Sequence, residues 1–223
     1  MKFFYSLFCF LLILSTNPFP VEAQSLPLKD WPGNASLPLV IYISGDGGFN
    51  KFSNNLCAVI SEKGYQVIAL DAKSYFWNKK SPGQAATGLE KEINNASANN
   101  ESRKIIFTGY SFGADVLPFI YNQFPENLKN RIRSVIMISP SGSTDFEIHL
   151  SDMLGGNTKR EMDVFKEVNN MGNPTTVVIN GDDEKDTGAG GVTRKNFHHE
   201  TIPGGHHFEG DINTLVSAMM KYF

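Results

Sequence analysis

The sequence predicts an α/β fold in which a mainly parallel sheet is covered by helices on both faces. Short apolar runs typical of buried strands alternate along the chain with longer stretches of helical periodicity. No repeat or low-complexity linker divides the 223 residues, and 41% of them are apolar, so they can bury one substantial core. Because strands that alternate with helices pair in parallel, we expect ligand-binding residues at the carboxyl ends of the strands.

Five of the predicted strands are short apolar runs, Leu39–Ser44, Gln66–Leu70, Arg103–Thr108, Ser134–Ile138 and Thr176–Asn180, and a shorter, more polar strand is predicted over Phe197–Ile202. The predicted helices have apolar residues at helical spacing or begin at a suitable first-turn residue: Asn50–Glu62, Pro82–Ala98, Phe112–Phe124, Lys159–Asn169 and Asp211–Phe223. This order of elements is that of a layered α/β domain.

The first 23 residues are predicted to be a signal peptide. Lys2 supplies a positive charge, an apolar stretch runs from Phe3 to Leu14, and Val21–Ala23 ends in the small residue expected before a cleavage point. The apolar stretch is too short for a spanning helix. The sequence therefore predicts an exported protein, periplasmic in a Gram-negative host, with residues 24–223 as a single domain. The alternative is an uncleaved N-terminal anchor.

Charge and composition argue against several classes of function. A net charge of −3 and a pI near 6 provide no basic surface for nucleic acid. The pair His198-His199 and the remote His149 lack the spacing of zinc ligands, so no metal or organic cofactor is implied. Beyond the signal peptide Cys57 is the only cysteine, and its place in a periodic apolar stretch predicts a buried side chain.

A G-x-S-x-G pentapeptide, Gly109–Gly113, stands between the strand Arg103–Thr108 and a predicted helix. A strand that turns sharply through this pentapeptide into a helix is the nucleophile elbow of the α/β-hydrolase fold, which lifts the serine hydroxyl off the sheet. Ser111 is therefore the candidate nucleophile, and the fold prediction becomes an α/β-hydrolase-like domain with little or no lid. The alternative is an ordinary serine in a glycine-flanked turn.

A serine hydroxyl needs an imidazole within hydrogen-bond reach to accept its proton, and a carboxylate to hold the imidazole tautomer. The motif Pro203–Phe208 follows the last predicted strand, where this chain order places the base, and its spacing favours His206 over His207. The acid is expected in the loop after Thr176–Asn180. Glu184 and Asp183 are equally favoured there, with Asp186 next.

Two backbone N–H groups are expected to form an oxyanion hole. One belongs to Phe112, the residue after the nucleophile, and the other to Asp46 or Gly47 in the loop after the first strand. The side chain of Asp46 is a candidate ligand for a cationic group on a substrate. Its structural alternative is a residue that shapes the loop.

An aromatic loop follows the second predicted strand. Its residues Tyr75 and Trp77 are candidates for an apolar lip that contacts acyl chains or a membrane surface. The alternative is a packed aromatic loop, which is favoured for Phe76.

Four motifs occur in an order that resembles the VirJ/AcvB family of bacterial virulence proteins: Ser44–Phe49, Tyr75–Pro82, Gly109–Pro118 and Pro203–Phe208. The similarity covers nearly all of the predicted mature chain. The resemblance implies an exported α/β-hydrolase that cleaves aminoacylated phosphatidylglycerol, such as lysyl-phosphatidylglycerol. It also implies Ser111 as nucleophile, His206 as base and the 181–186 loop as the source of the acid. Because a lysyl headgroup is cationic, the resemblance makes Asp46 or Asp115, one helical turn beyond Ser111, a candidate to bind it. The structural alternative for Asp115 is a buried polar residue held by hydrogen bonds.

These observations predict an exported serine ester hydrolase whose partner is a lipid or a small ester, with contact to a membrane surface. Three alternatives stay open at this point: a general exported carboxylesterase, a transacylase, and a non-catalytic binding or assembly factor of a secretion or virulence system. A hydrolase fold by itself decides between none of them.

Overall fold

A computed structural model describes residues 25–97, 100–149, 159–185 and 188–223. The predicted signal peptide, residues 1–23, lies outside these ranges. The expectation of little or no lid stays a prediction, because residues 150–158 also lie outside them.

A seven-stranded sheet forms the centre of the domain. Its strands are β1 Leu28–Trp31, β2 Leu39–Ile43, β3 Val67–Leu70, β4 Ile105–Tyr110, β5 Ile132–Ile138, β8 Thr175–Gly181 and β9 Phe197–Ile202. They lie in the order β1-β3-β2-β4-β5-β8-β9, in which β1 is antiparallel to its neighbour and the other six strands run parallel. A separate antiparallel pair joins β6 Ser143–Thr144 to β7 Met162–Asp163. The predicted mainly parallel architecture is confirmed.

Helices cover both faces of the sheet. The α-helices in the described part of the chain are α1 Lys51–Glu62, α2 Ala72–Tyr75, α3 Pro82–Ala96, α4 Phe112–Gln123, α5 Glu126–Lys129, α6 Val164–Asn169 and α7 Ile212–Met220. One apolar cluster joins α1 and α7 to one face, and a second joins α3, α4 and α6 to the other. The central strands are therefore buried on both sides, which explains their continuous apolar runs. No helix within the described ranges is long and apolar enough to cross a membrane.

The prediction differs from the structure at one helix and at the edge strand β1. The helix predicted over Lys159–Asn169 begins only at Val164, because Met162–Asp163 pairs with Ser143–Thr144 and Asp163 then caps the helix. The edge strand β1 has no counterpart in the sequence prediction. It is four residues long and none of them is fully buried, so it lacks the apolar run that identified the central strands.

Glycine permits the close contact on which the elbow depends. A Cβ on Gly109 would lie 2.5 Å from the carbonyl oxygen of Gly113, and a Cβ on Gly113 would lie 2.2 Å from that of Ile43. Both atoms belong to backbone and cannot turn aside. The two glycines of the pentapeptide thus allow α4 to lie against β4 and β2.

We expect Gly113→Ala to destabilise the fold by about 3 kcal/mol or more, because overpacking here must push α4 away from the sheet. Urea denaturation measures the free energy of unfolding. Gly190→Ala is the matched control: an added Cβ there has no neighbour within 4 Å, so its effect should stay within about 0.5 kcal/mol. Equal stability of the two variants would contradict the close contact between α4 and β2.

Candidate active site

The carboxyl ends of four neighbouring strands bring polar side chains together. Ser111 follows β4, Ser139 follows β5, Glu184 lies in the loop after β8, and His206 lies in the loop after β9. These residues are separated by as many as 95 positions in sequence. They meet because parallel strands end at the same edge of the sheet.

Ser111 has the backbone strain of a nucleophile elbow, with φ 53° and ψ −121°. A non-glycine residue at positive φ costs about 1–3 kcal/mol and persists only where its surroundings enforce it. Here the Ser111 N–H donates to the carbonyl of Ile138 at 2.8 Å, which ties the turn to the neighbouring strand. The strained turn holds the hydroxyl above the sheet at the start of α4.

A continuous hydrogen-bond chain joins three side chains. His206 Nδ1 lies 2.6 Å from Glu184 Oε1, and His206 Nε2 lies 3.0 Å from Ser111 Oγ. Because an ionised carboxylate only accepts hydrogen bonds, Nδ1 must carry the proton toward Glu184. Nε2 is then the acceptor for the Ser111 hydroxyl, which is the tautomer that a general base requires.

Glu184 is held ionised by its neighbours. Burial opposes ionisation, but the hydrogen bond from His206 and others from the Gly181 N–H, Ser139 and Asn180 outweigh it and lower the pKa of Glu184 to about 2. The three donors other than His206 all reach Oε2, at 2.8, 2.8 and 3.1 Å. This leaves Oε1 to face the imidazole.

Three carboxylates were predicted as candidates for the acid. Among those that the structure describes, only Glu184 contacts the imidazole of His206. The side chain of Asp183 is exposed, and its backbone N–H donates to the carbonyl of Gly204. The neighbouring Asp182 accepts from the Gly204 N–H at 2.8 Å. Asp186 lies outside the described residues.

The two adjacent histidines have different surroundings. The carbonyl of His206 accepts a hydrogen bond from the Tyr110 hydroxyl at 3.1 Å, which anchors the loop beside the elbow. The ring of His207 instead packs edge-on against Phe52, with the centroids 5.9 Å apart. Only His206 reaches Ser111.

Of the predicted oxyanion donors, Phe112 and Asp46 lie beside Ser111. Phe112 is the first residue of α4, so its N–H has no acceptor within the helix. Gly48 N–H donates to the carbonyl of Gly45 at 3.0 Å and closes a turn with Asp46 and Gly47 at its centre. Asp46 lines the cavity next to Ser111, whereas Gly47 is exposed and does not. The backbone N–H of Asp46 is therefore favoured over that of Gly47 as the second oxyanion donor.

Asp115 is 2% exposed, and its carboxylate is fully engaged. Oδ1 accepts from the backbone N–H groups of Ser141 and Gly142, at 2.9 and 3.2 Å, and Oδ2 accepts from the Ser141 hydroxyl. Burial raises the pKa of Asp115 to about 7 against the opposing effect of these bonds. Although Asp115 lines the cavity, its carboxylate holds the loop after β5, so its predicted role as a substrate ligand has no support in these contacts.

We expect Asp115→Asn to flatten the dependence of stability on pH. The folded protein keeps the Asp115 proton up to about pH 7, while an unfolded chain releases it near pH 3.8, so the wild type loses stability as pH rises between these values. Asparagine retains the Oδ1 acceptor without the charge. The wild type should lose a few kcal/mol more than the variant between pH 4 and pH 8, at about 1.4 kcal/mol per pKa unit.

Urea denaturation at several pH values measures this difference. Parallel stability curves for the wild type and Asp115→Asn would show that Asp115 does not take up a proton in the folded protein.

The predicted aromatic lip lies outside the catalytic cavity. Phe76 is fully buried against Phe112 and Phe146, as expected for a packed residue. Tyr75 is partly buried beside Phe76. Trp77 is 48% exposed, and neither it nor Tyr75 lines the cavity around Ser111.

Two other sequence predictions concern residues away from the elbow. Cys57 is fully buried in α1, as predicted, and burial raises the pKa of its thiol well above the ordinary value. His198 and His199 are adjacent on β9 and contact different residues. His199 Nε2 donates to Asn180 Oδ1 at 3.0 Å, while the His198 ring packs near Tyr222.

Sequence reasoning missed Ser139 and Asn180, which hold the acid in place. Asn180 ends a predicted strand and Ser139 directly follows one, so their position at the carboxyl edge could have drawn attention to them. Ser139 also has a positive φ of 49°. This strain is invisible in the sequence.

The Ser111 side chain faces a cavity of about 520 Å³. Its charged lining residues are mostly acidic: Asp46, Asp115, Asp145, Glu147, Glu184, Arg160 and Lys185. Glu184 and Asp115 are engaged as described, and Asp145 accepts from His149 at 2.8 Å. Asp46 and Glu147 have no hydrogen-bond or ion-pair partner within the described ranges. Glu147 is a further residue that the sequence analysis did not single out.

A parallel sheet with a strained G-x-S-x-G elbow and a Ser–His–Glu chain at its carboxyl edge defines the α/β-hydrolase fold class. Within that class the chain belongs to the VirJ family, described as "Bacterial virulence protein (VirJ)", whose profile matches residues 38–223. The family resemblance of the sequence motifs is thereby confirmed. None of the curated proteins matches the chain.

Solved structures show the same fold at low sequence identity. Est1E from Butyrivibrio proteoclasticus has a TM-score of 0.63 at 14% identity, with 89% of this chain and 94% of that chain covered. MenH from S. aureus has 0.64 at 12%, with 87% and 97% covered. A lipase-esterase related protein from Clostridium acetobutylicum has 0.62 at 16%, with 89% and 100% covered. At these identities the likeness concerns the fold alone.

Proposed function

We propose that this protein is an exported serine hydrolase that cleaves the aminoacyl ester of aminoacylated phosphatidylglycerol, with lysyl-phosphatidylglycerol as the model substrate. The observation that carries the proposal is the chain from Ser111 Oγ through His206 to Glu184, with separations of 3.0 and 2.6 Å. This is the arrangement that activates a serine hydroxyl. The lipid substrate is the one that the resemblance of the sequence motifs to the VirJ/AcvB family implies, and the chain belongs to the VirJ family.

The proposed reaction proceeds through an acyl-enzyme. Ser111 Oγ attacks the ester carbonyl while His206 Nε2 takes the hydroxyl proton, and N–H groups of Phe112 and the Asp46–Gly47 turn stabilise the oxyanion. His206 then protonates the departing glycerol oxygen, which becomes the hydroxyl of phosphatidylglycerol. Water, activated by the same imidazole, hydrolyses the aminoacyl ester on Ser111. The products are the free amino acid and phosphatidylglycerol.

The acidic cavity supports a cationic acyl group. Asp46 and Glu147 line the same space as Ser111 and have no polar partner in the described part of the chain, so they are available to bind ammonium groups. Arg160 and Lys185 are the opposing charges in the lining. A lysyl ester carries one ammonium group on the carbon next to its carbonyl and a second at the end of its side chain, whereas a short-chain neutral ester carries none.

The test is release of free lysine from lysyl-phosphatidylglycerol vesicles by the purified chain, compared with alanyl-phosphatidylglycerol and with a soluble neutral ester. Asp46→Asn should lower kcat/KM for the lysyl lipid about tenfold, as expected for loss of one partly buried charge contact, and change the neutral ester by less than about twofold. Asp183→Asn removes an exposed carboxylate nearby and serves as the matched control.

Equal turnover of all three esters would indicate a general carboxylesterase with no preference for a cationic acyl group. Absence of turnover together with absence of labelling by a fluorophosphonate probe would favour a non-catalytic binding factor. Either result would overturn the proposed substrate.

A further inference from the structure

We propose that Trp77, Lys79 and Lys80 form a surface, called here the Trp77 patch, that docks the domain on an anionic phospholipid bilayer. The inference rests on the proposed function for the identity of the lipid. Its physical argument is separate, because the patch lies outside the catalytic cavity.

The first observation is exposure. Trp77 is the only large hydrophobic side chain recorded as exposed in the described part of the chain, at 48%. Its neighbour Phe76 is completely buried and anchors the loop in the core. A tryptophan on an anchored loop suits the interface between water and lipid, because the indole combines a large apolar ring with one N–H donor.

The second observation is charge. Lys79 is exposed, and the ammonium group of Lys80 lies 5.5 Å from the centroid of the Tyr75 ring. No carboxylate within the described ranges lies within 4.0 Å of either ammonium group. The patch is thus locally basic on a chain of net charge −3. Basic residues beside an exposed aromatic ring favour an anionic bilayer over a neutral one.

The third observation is continuity with the catalytic cavity. Lys79 and Lys80 line a groove of about 420 Å³, with Phe146 and Met162 among its apolar walls and Glu161 as an opposing charge. Asp145 lines both this groove and the cavity that contains Ser111. A bilayer bound at the Trp77 patch would therefore present its headgroups next to the cavity entrance.

The experiment measures binding in the absence of turnover. The chain with Ser111→Ala is sedimented with vesicles of phosphatidylglycerol or of neutral phosphatidylcholine, at low and high salt. Lys79→Glu combined with Lys80→Glu tests the charge, and Trp77→Ala tests the aromatic ring. Lys63→Glu combined with Lys195→Glu is the matched control. Both lysines are exposed, and they lie before β3 and β9, at the amino ends of the parallel strands rather than at the carboxyl ends.

We expect at least about tenfold stronger binding to phosphatidylglycerol than to phosphatidylcholine, weakened by salt. The Lys79/Lys80 pair should lose about tenfold or more of this binding, Trp77→Ala severalfold, and the control pair less than about threefold, with melting temperatures of all variants close to that of the parent. Equal binding to both lipids, no binding, or equal loss in the two charge-reversal pairs would overturn the proposal.

These outcomes are independent of the proposed function. Sedimentation needs no chemistry at Ser111, so a chain that binds the vesicles but releases no amino acid would reject the substrate and retain the docking surface.

Discussion

Replacing Ser111 with alanine is expected to abolish ester hydrolysis and labelling by a fluorophosphonate probe. The expected fall in kcat is about 10⁶-fold, the loss seen when the nucleophile is removed from a serine hydrolase triad. No other hydroxyl of the described residues lies within hydrogen-bond reach of His206 Nε2, so none of these residues can replace the nucleophile.

The fold should tolerate this change. Alanine and serine have similar backbone preferences, so the strain at φ 53° stays the same, and the Ser111 N–H bond to Ile138 involves backbone only. Ser143→Ala is the matched control, since Ser143 lines the same cavity without contacting His206, and it should reduce kcat by less than about tenfold. Comparable losses in both variants would exclude Ser111 as the nucleophile.

The second large effect is expected for Glu184→Gln, which should lower kcat by about 10⁴-fold. The amide oxygen should occupy the Oε2 position, where Ser139, Asn180 and the Gly181 N–H all donate. The amide NH₂ then faces His206 Nδ1 and donates to it.

This inverted hydrogen bond moves the imidazole proton to Nε2. Nε2 can then no longer accept the proton of Ser111, although both side chains keep their positions. The defect is thus one of tautomer rather than of geometry. Asp183→Asn, which changes the exposed neighbour that was equally favoured by sequence, should retain activity within about twofold.

Stability provides an independent readout for Glu184. Its pKa in the folded protein is about 2, below the ordinary 4.5, so the stability that its ionised form contributes is complete above pH 4.5 and is lost as pH falls toward 2. The wild type should lose this contribution on acidification, and Glu184→Gln should lack that part of the pH dependence. Urea denaturation between pH 6 and pH 3 measures it. Loss of activity in Asp183→Asn with normal kinetics in Glu184→Gln would refute the assignment of the acid.

The fold could be predicted because most of its strands and helices are specified by the residues of their own segments. The central strands are rich in buried apolar residues, as in the continuous run Leu39–Ile43, since burial on both faces permits no alternation. The helices have their own start residues: Asn50 caps α1, and Ser81 with Gln84 forms a capping box at the start of α3. The edge strand β1 escaped prediction because pairing on one side only, with partial burial, imposes no apolar run.

The candidate site was predictable in part. The pentapeptide around Ser111 combines two glycines forced by backbone contacts with a strand before and a helix after, and this combination is visible in the sequence. The choice among the acidic residues was not. Glu184 and Asp183 are adjacent, and their difference arises from Ser139, Asn180 and the imidazole, which come from other strands.

The sequence by itself determined the layered α/β architecture, the elbow at Ser111 and the late histidine motif, since each depends on neighbouring residues and on steric limits of the backbone. The tertiary structure alone decided that Glu184 holds His206, that Asp115 secures the loop after β5, and that Trp77 faces solvent outside the cavity. These outcomes depend on which atoms of distant segments come within about 3 Å, because hydrogen bonds and burial act only at contact distance.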